Sequence, residues 1–159
     1  MAIKIMFDSN IYDKVIANEA LFVQLRSLID SNQLEIVSTH IQLDELGRIE
    51  NNAKRESALA VPSTIVPTMG FVLDVSRLDM ACLDGGNPEI IEYEQIQKGN
   101  LKHVEDALIA LTAHHEADVL VTEDNKLINK IKATKTKLTL WKFEEFKSFL
   151  DSVKNNGSR

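Results

Sequence analysis

Residues 3–10 read IKIMFDSN. Ile3 to Phe7 is an almost continuously apolar run, as expected of a strand buried on both faces of a parallel sheet. Asp8-Ser9-Asn10 ends the run abruptly. In open α/β sheets, binding sites form beyond the carboxyl ends of the strands. A carboxylate placed directly after such a strand is therefore a candidate functional group. Its plainer use is to cap the next helix.

The same alternation of short apolar runs and helical stripes continues along the chain. Asn18 is placed to cap a helix carrying Leu21, Leu25, Leu28 and Ile29, with Glu19 in its first turn. Leu34 to Ser38 reads as a second strand, and Thr39 can cap a helix bearing Ile41, Leu46 and Ile49. Residues 58–100 are irregular: Pro62 and Pro67 punctuate them and Phe71 to Val75 has strand character. Gly85-Gly86-Asn87-Pro88 marks a turn, and Glu89 to Gln97 could form a short helix. Leu101, Val104, Leu108, Leu111 and His115 then form a helical stripe. Val119 to Val121 is a third buried strand, followed by an amphipathic helix with Leu127, Ile128 and Ile131. A strand near Leu138 to Trp141 and a helix from Phe143 to Val153 close the pattern. The order β-α-β-α, irregular middle, α-β-α-β-α predicts an α/β domain with a mostly parallel sheet. It spans residues 1–153 as a single domain, with residues 154–159 as a flexible tail.

A length of 159 residues suits one core, and 44% hydrophobic with 26% charged residues excludes general disorder. No apolar run approaches the roughly 20 residues of a membrane span, and the N-terminus lacks a secretory pattern. The single cysteine, Cys82, excludes an internal disulfide and Cys-rich zinc sites and fits a reducing cytoplasm. The net charge of −6 is unevenly spread. Residues 1–125 hold 9 basic and 21 acidic groups, net −12, and residues 126–159 hold 9 and 3, net +6. Such asymmetry can mark contact with a polyanion, although a solvated Lys-rich face has the same composition.

Four carboxylates stand where burial or strand-end geometry is expected. Asp8 and Asp124 each follow a buried strand. Glu45 interrupts an apolar row between Ile41 and Ile49, and Asp106 lies on a helix apolar nearly all round. An isolated buried carboxylate is costly, and no Lys or Arg has a claim on all four. A hard divalent cation, Mg²⁺ or Mn²⁺, does. Clustered carboxylates with such a metal suit phosphodiester hydrolysis. Separately, each also has an ordinary explanation: a cap, a surface face, an edge position or a turn.

Phe7-Asp8-Ser9-Asn10, Glu45, Asp106-Ala107-Leu108-Ile109-Ala110 with Ala113, and Leu120-Val121-Thr122-Glu123-Asp124 together resemble a PIN-domain nuclease. The resemblance covers roughly residues 3–50 and 100–150. It implies a three-layer α/β/α sandwich and metal-dependent endoribonuclease activity on single-stranded RNA. Asp8, Glu45, Asp106 and Asp124 would form the acidic site, with Asp8, Asp106 and Asp124 as metal ligands. Ser9, Asn10 and Thr122 would support it. Many bacterial members are toxins of VapBC-type pairs, so a small antitoxin is an implied partner; homodimerisation is left open. The chain departs from the family pattern at Lys126, where members often carry a second acidic residue, and at Leu127, where an aromatic is common. Lys126 and Lys130, one helical turn apart, are candidate contacts for RNA phosphates.

Two other readings remain open at this point. One is a receiver-like or phosphatase-like domain using Mg²⁺ for phosphotransfer, though position 10 is Asn rather than the second Asp of a D-x-D pair. The other is a non-catalytic interaction module on the same fold. His114-His115 reads as a helix C-terminal pair and His40 as structural. His103, one turn from Asp106, could support the site, and Cys82 beside Asp79 and Asp84 is a poor nucleophile.

Overall fold

A computed structural model describes residues 1–69, 77–82, 104–133 and 136–156. The strand over Phe71 to Val75, the turn at 85–88, the helix over 89–97 and His103 lie outside the described residues. In chain order the elements are β1 (Ile3–Phe7), α1 (Ser9–Ile16), α2 (Glu19–Asp30), β2 (Leu34–Ser38), α3 (His40–Gly47) and α4 (Asn52–Leu59). The two-residue strands β3 (Thr64–Ile65) and β4 (Thr68–Met69), a 3₁₀ turn over Leu78–Met80 and β5 (Ala81–Cys82) follow. Then come α5 (Val104–Glu116), β6 (Val119–Val121), α6 (Asn125–Lys132), β7 (Thr139–Trp141) and α7 (Phe143–Asn156). α7 thus runs three residues past Val153, the expected helix end.

The main sheet has the order β3-β2-β1-β6-β7, and every pairing in it is parallel. Side chains along a strand alternate between faces, and here both faces are covered. Ile5, Phe7, Ile36, Val119 and Val121 pack into one core with α1, α2 and α7. Met6, Val37 and Leu120 enter a second core with Ile41 of α3, α5 and α6. Two cores on opposite faces of one parallel sheet make the three-layer α/β/α sandwich expected from the sequence. Among the described residues no helix is long and apolar enough to cross a membrane.

Phe7 fixes the end of β1. Its ring meets Tyr12 of α1 edge-on at 5.6 Å and Phe146 of α7 at 5.1 Å, contacts each worth about 0.5–1.5 kcal/mol beyond simple burial. On the other side, the buried Gln42 side chain donates from Nε2 to the Phe7 carbonyl at 2.5 Å. Its Oε1 accepts from the Thr39 N–H and hydroxyl at 2.6 and 2.9 Å. Gln42 therefore joins the start of α3 to the end of β1.

α3 is shorter than its apolar pattern suggests. It ends at Gly47, so Ile49 lies beyond it and packs against the first core, whereas Ile41 is in the second. Glu45 therefore does not interrupt a continuous apolar row. It occupies the last turn of a short helix, half-buried.

Gln42→Met should leave the Phe7 carbonyl and the Thr39 N–H without their partner. The expected cost is roughly 2–6 kcal/mol, since each of the two orphaned buried groups costs about 1–3. A fall in the urea unfolding midpoint, at unchanged slope, measures it.

Candidate functional site

The chain begins in the middle of the sheet. From β1 it moves outward through β2 to β3, then returns to the other side of β1 as β6 and continues to β7. The order therefore reverses between β1 and β6, and a crevice opens beyond their carboxyl ends. Asp8 follows β1 and Thr122 follows β6, so both stand at that crevice. The Asp8 N–H donates to the Val121 carbonyl at 2.9 Å, extending the ladder one residue past β1.

Asp8 is the N-cap of α1, with Oδ1 accepting from the Ser9 N–H at 2.8 Å. Its Oδ2 accepts from the hydroxyl of the fully buried Thr122 at 2.7 Å. That hydroxyl oxygen in turn accepts from the Asp124 N–H at 3.1 Å. Asp124 caps α6: its Oδ1 accepts from the N–H groups of Lys126 and Leu127 at 2.7 and 3.2 Å. The capping explanation thus holds for both side chains, and it is compatible with the site explanation. A cap uses one face of a carboxylate and leaves other lone pairs for a ligand.

Glu45 accepts a hydrogen bond from the Ser9 hydroxyl. Burial pushes the Asp8 carboxyl above its ordinary range; the Thr122 hydroxyl opposes this and the charges of Asp106 and Asp124 add to it. Burial likewise raises Glu45, opposed by Ser9 and reinforced by Glu105, Asp8 and Asp106. Asp8 therefore lies within electrostatic reach of Asp106, Asp124 and Glu45, and Glu45 within reach of Asp106 as well. Ser9 and Thr122 each bond one of them. Asn10 is exposed in the first turn of α1. Lys126 and Lys130 lie on α6, the helix Asp124 caps, and neither has an ion-pair partner among the described residues.

Glu105 is an addition that the sequence pattern does not single out. Its only signal is its place beside Asp106, before a run buried from Ala107 to Ala113. Gln42 is another, because a polar residue early in a helix normally faces solvent.

Among the described residues no three His, Cys, Asp or Glu side chains are gathered as they stand into a set that could hold a metal ion. The chemistry of the donors nonetheless fits a hard cation. All are carboxylates at one crevice, and two have their ionisation disfavoured by burial and mutual charge. Mg²⁺ commonly takes only one or two protein carboxylates, completing its shell with water and substrate phosphate.

His40 is buried at the start of α3, and His114 Nδ1 bonds the Thr136 hydroxyl at 2.5 Å. Both arrangements suit structural roles.

No family model and no curated protein sequence matches the chain. Among solved structures it is similar to one chain in the crystal structure of VapBC2 from Rickettsia felis bound to a DNA fragment from their promoter. The two share a fold. The TM-score is 0.52 at 19% sequence identity, covering 88% of this chain and 98% of that one. At that identity the likeness concerns backbone architecture and assigns no role to a side chain.

Raised carboxyl pKa values set the sign of a pH effect. The folded protein binds protons at Asp8 and Glu45 more tightly than the unfolded chain does, whose values are near the ordinary 3.8 and 4.5. Their stabilising contribution is complete below those values and is lost as pH rises through the folded ones. In EDTA, Asp8→Asn with Glu45→Gln should melt higher than wild type at neutral pH. The difference should shrink as pH falls towards about 4. Melting curves across that range give the comparison.

Proposed function

We propose that this protein is a metal-dependent endoribonuclease of the PIN type, hydrolysing single-stranded RNA. The observation that carries the reading is the meeting of Asp8 and Thr122 at the β1–β6 crevice, with Asp106, Asp124 and Glu45 near enough for charge to couple them. Asp8, Asp106 and Asp124 would hold Mg²⁺ or Mn²⁺. The bound ion would supply water activation, phosphate orientation and neutralisation of charge on the attacking and leaving oxygens.

The remaining work falls to the chain's own groups. Thr122 and the Ser9 N–H hold the Asp8 carboxylate in one orientation from both of its oxygens. The Ser9 hydroxyl occupies Glu45 Oε2, leaving Oε1 to accept a proton from the attacking water. The raised affinity of Glu45 for that proton makes it a better base than a solvated glutamate. Lys126 and Lys130 would meet backbone phosphates, offsetting the repulsion between RNA and the acidic remainder of the chain. A role as the toxin of a toxin–antitoxin pair, with a small antitoxin as partner, is supported by the fold shared with a VapBC2 chain.

Purified protein should cleave single-stranded RNA with Mg²⁺ or Mn²⁺ and leave 5′-phosphate ends. Full activity in excess EDTA, or 2′,3′-cyclic phosphate ends, would remove this mechanism. Asp8→Asn and Asp106→Asn should each lower the rate roughly 10²–10³-fold, the equivalent of about 3–4 kcal/mol, while remaining folded. Asp124→Asn should be milder, because Lys126 stands where a second-metal carboxylate would be expected.

Lys126→Gln with Lys130→Gln, in an Asp8→Asn background, should weaken RNA binding for all sequences alike. The log–log salt slope should flatten by about 0.7 for each phosphate that the variant no longer neutralises. Unchanged affinity and slope would leave the two lysines as a solvated face.

A further inference from the structure

Glu123 lies between Thr122 and Asp124 but takes no part in their hydrogen bonds. In extended backbone, successive side chains leave on opposite sides, and Glu123 points toward the layer of α1 and α7. Its Oε1 accepts from the Phe143 N–H at 3.0 Å, at the first residue of α7. The same oxygen pairs with Lys14 Nζ of α1 at 3.3 Å. Lys14 also stands over the Phe143 ring, 5.4 Å from its centre. One carboxylate thus ties the segment leaving β6 to both helices of the adjoining layer. The Thr122 N–H adds a bond to the Trp141 carbonyl at 3.0 Å.

An ion pair this exposed, with side chains 46% and 32% accessible, contributes little to global stability. Its position is more telling than its strength. The residue before Glu123 donates to Asp8 Oδ2, and the residue after it donates its N–H to that same hydroxyl. Rotation of the backbone at Glu123 would misplace both groups together.

We propose that Glu123, clasped by the Phe143 N–H and Lys14, is a positioning residue that fixes Thr122 and Asp124 toward Asp8. This rests on the nuclease reading for its catalytic consequence, but the geometric claim is independent of it. Residues that orient carboxylate ligands from behind typically change metal affinity or activity 10–100-fold when removed. Glu123→Gln keeps an acceptor for the Phe143 N–H and loses the charge shared with Lys14. Glu123→Ala loses both.

The test uses the full chain. Amide hydrogen exchange at Asp124 is measured in metal-free protein, and Mn²⁺ affinity by calorimetry without RNA. Glu123→Ala should lose exchange protection at the Asp124 amide and bind Mn²⁺ about 10–100-fold more weakly. Its melting temperature should move by no more than about 2–4 °C. Glu123→Gln should recover most of both properties, and in RNA cleavage the Ala variant should lower kcat with KM nearly unchanged. Wild-type exchange at Asp124 in Glu123→Ala overturns the proposal. So does loosened exchange with wild-type Mn²⁺ affinity, which would make the clasp a structural latch only. If wild type neither binds Mn²⁺ nor cleaves RNA, the nuclease reading fails, and the exchange data still decide whether Glu123 positions Asp124.

Discussion

The 2.9 Å hydrogen bond from the Asp8 N–H to the Val121 carbonyl is the constraint on which the site depends. It exists because β1 and β6, far apart in sequence, are neighbours at the centre of a parallel sheet. Strands so placed are buried on both faces and can hardly shift register. A slip of one residue would exchange Ile5 and Phe7 for Met6 between the two cores. The register that satisfies both cores therefore also fixes where Asp8 and Thr122 emerge. Aromatic contacts of Phe7 on one face and the Gln42 bond to its carbonyl on the other hold the strand end against fraying.

Carboxylates brought together at such a place oppose folding, and the surrounding structure offsets only part of that. Thr122 and Ser9 supply donors that favour ionised forms, while burial and neighbouring acids disfavour them. The net displacement for Asp8 and Glu45 is toward protonation. Glu123, which follows Thr122 beyond β6, shows the opposite balance. The Phe143 N–H and Lys14 hold its carboxyl below the ordinary range. The protein thus compensates the Glu123 carboxylate with its own donors, whereas Asp8 and Glu45 keep a net bias toward protonation.

The legible parts of the sequence are those where one residue's chemistry is local. The buried strands, the Asn18 cap that accepts from the Leu21 N–H at 3.1 Å, and the all-round apolar helix around Asp106 follow from patterns within a few residues. The strand-end position of Asp8 and Asp124 comes from the same source. What escapes detection depends on partners distant in sequence. Gln42 matters through Phe7, and Glu123 through Phe143 and Lys14. The two-residue strands β3, β4 and β5 are too short to carry an alternation. Ile41, Glu45 and Ile49 look like one helical row because their spacing cannot reveal that Gly47 ends the helix. Whether the carboxylates hold metal and act on RNA depends on occupancy and chemistry, which spacing alone does not encode.

Capping and the proposed function converge at Asp8 and Asp124 for an electrostatic reason. α1 and α6 both begin at the crevice, each with eight residues of aligned peptide dipoles. Their N-termini contribute partial positive charge there, within the first turn. That charge favours the two capping carboxylates, and it also favours any anion approaching the same place. An acidic crevice between two helix starts is therefore less hostile to a phosphate than its formal charge implies. The exposed lysine of the first turn of α6 extends the effect outward along the basic end of the chain. A carboxylate set placed at helix C-termini would face the reverse field and would need a stronger cation to hold it together. The doubling of roles also separates two kinds of substitution. Asn at position 8 or 124 preserves an acceptor for the helix N–H groups and removes the charge, and at position 8 it also replaces the oxygen that accepts from the Thr122 hydroxyl. Ala removes both, so a loss of function there would not distinguish a vanished ligand from a frayed helix start.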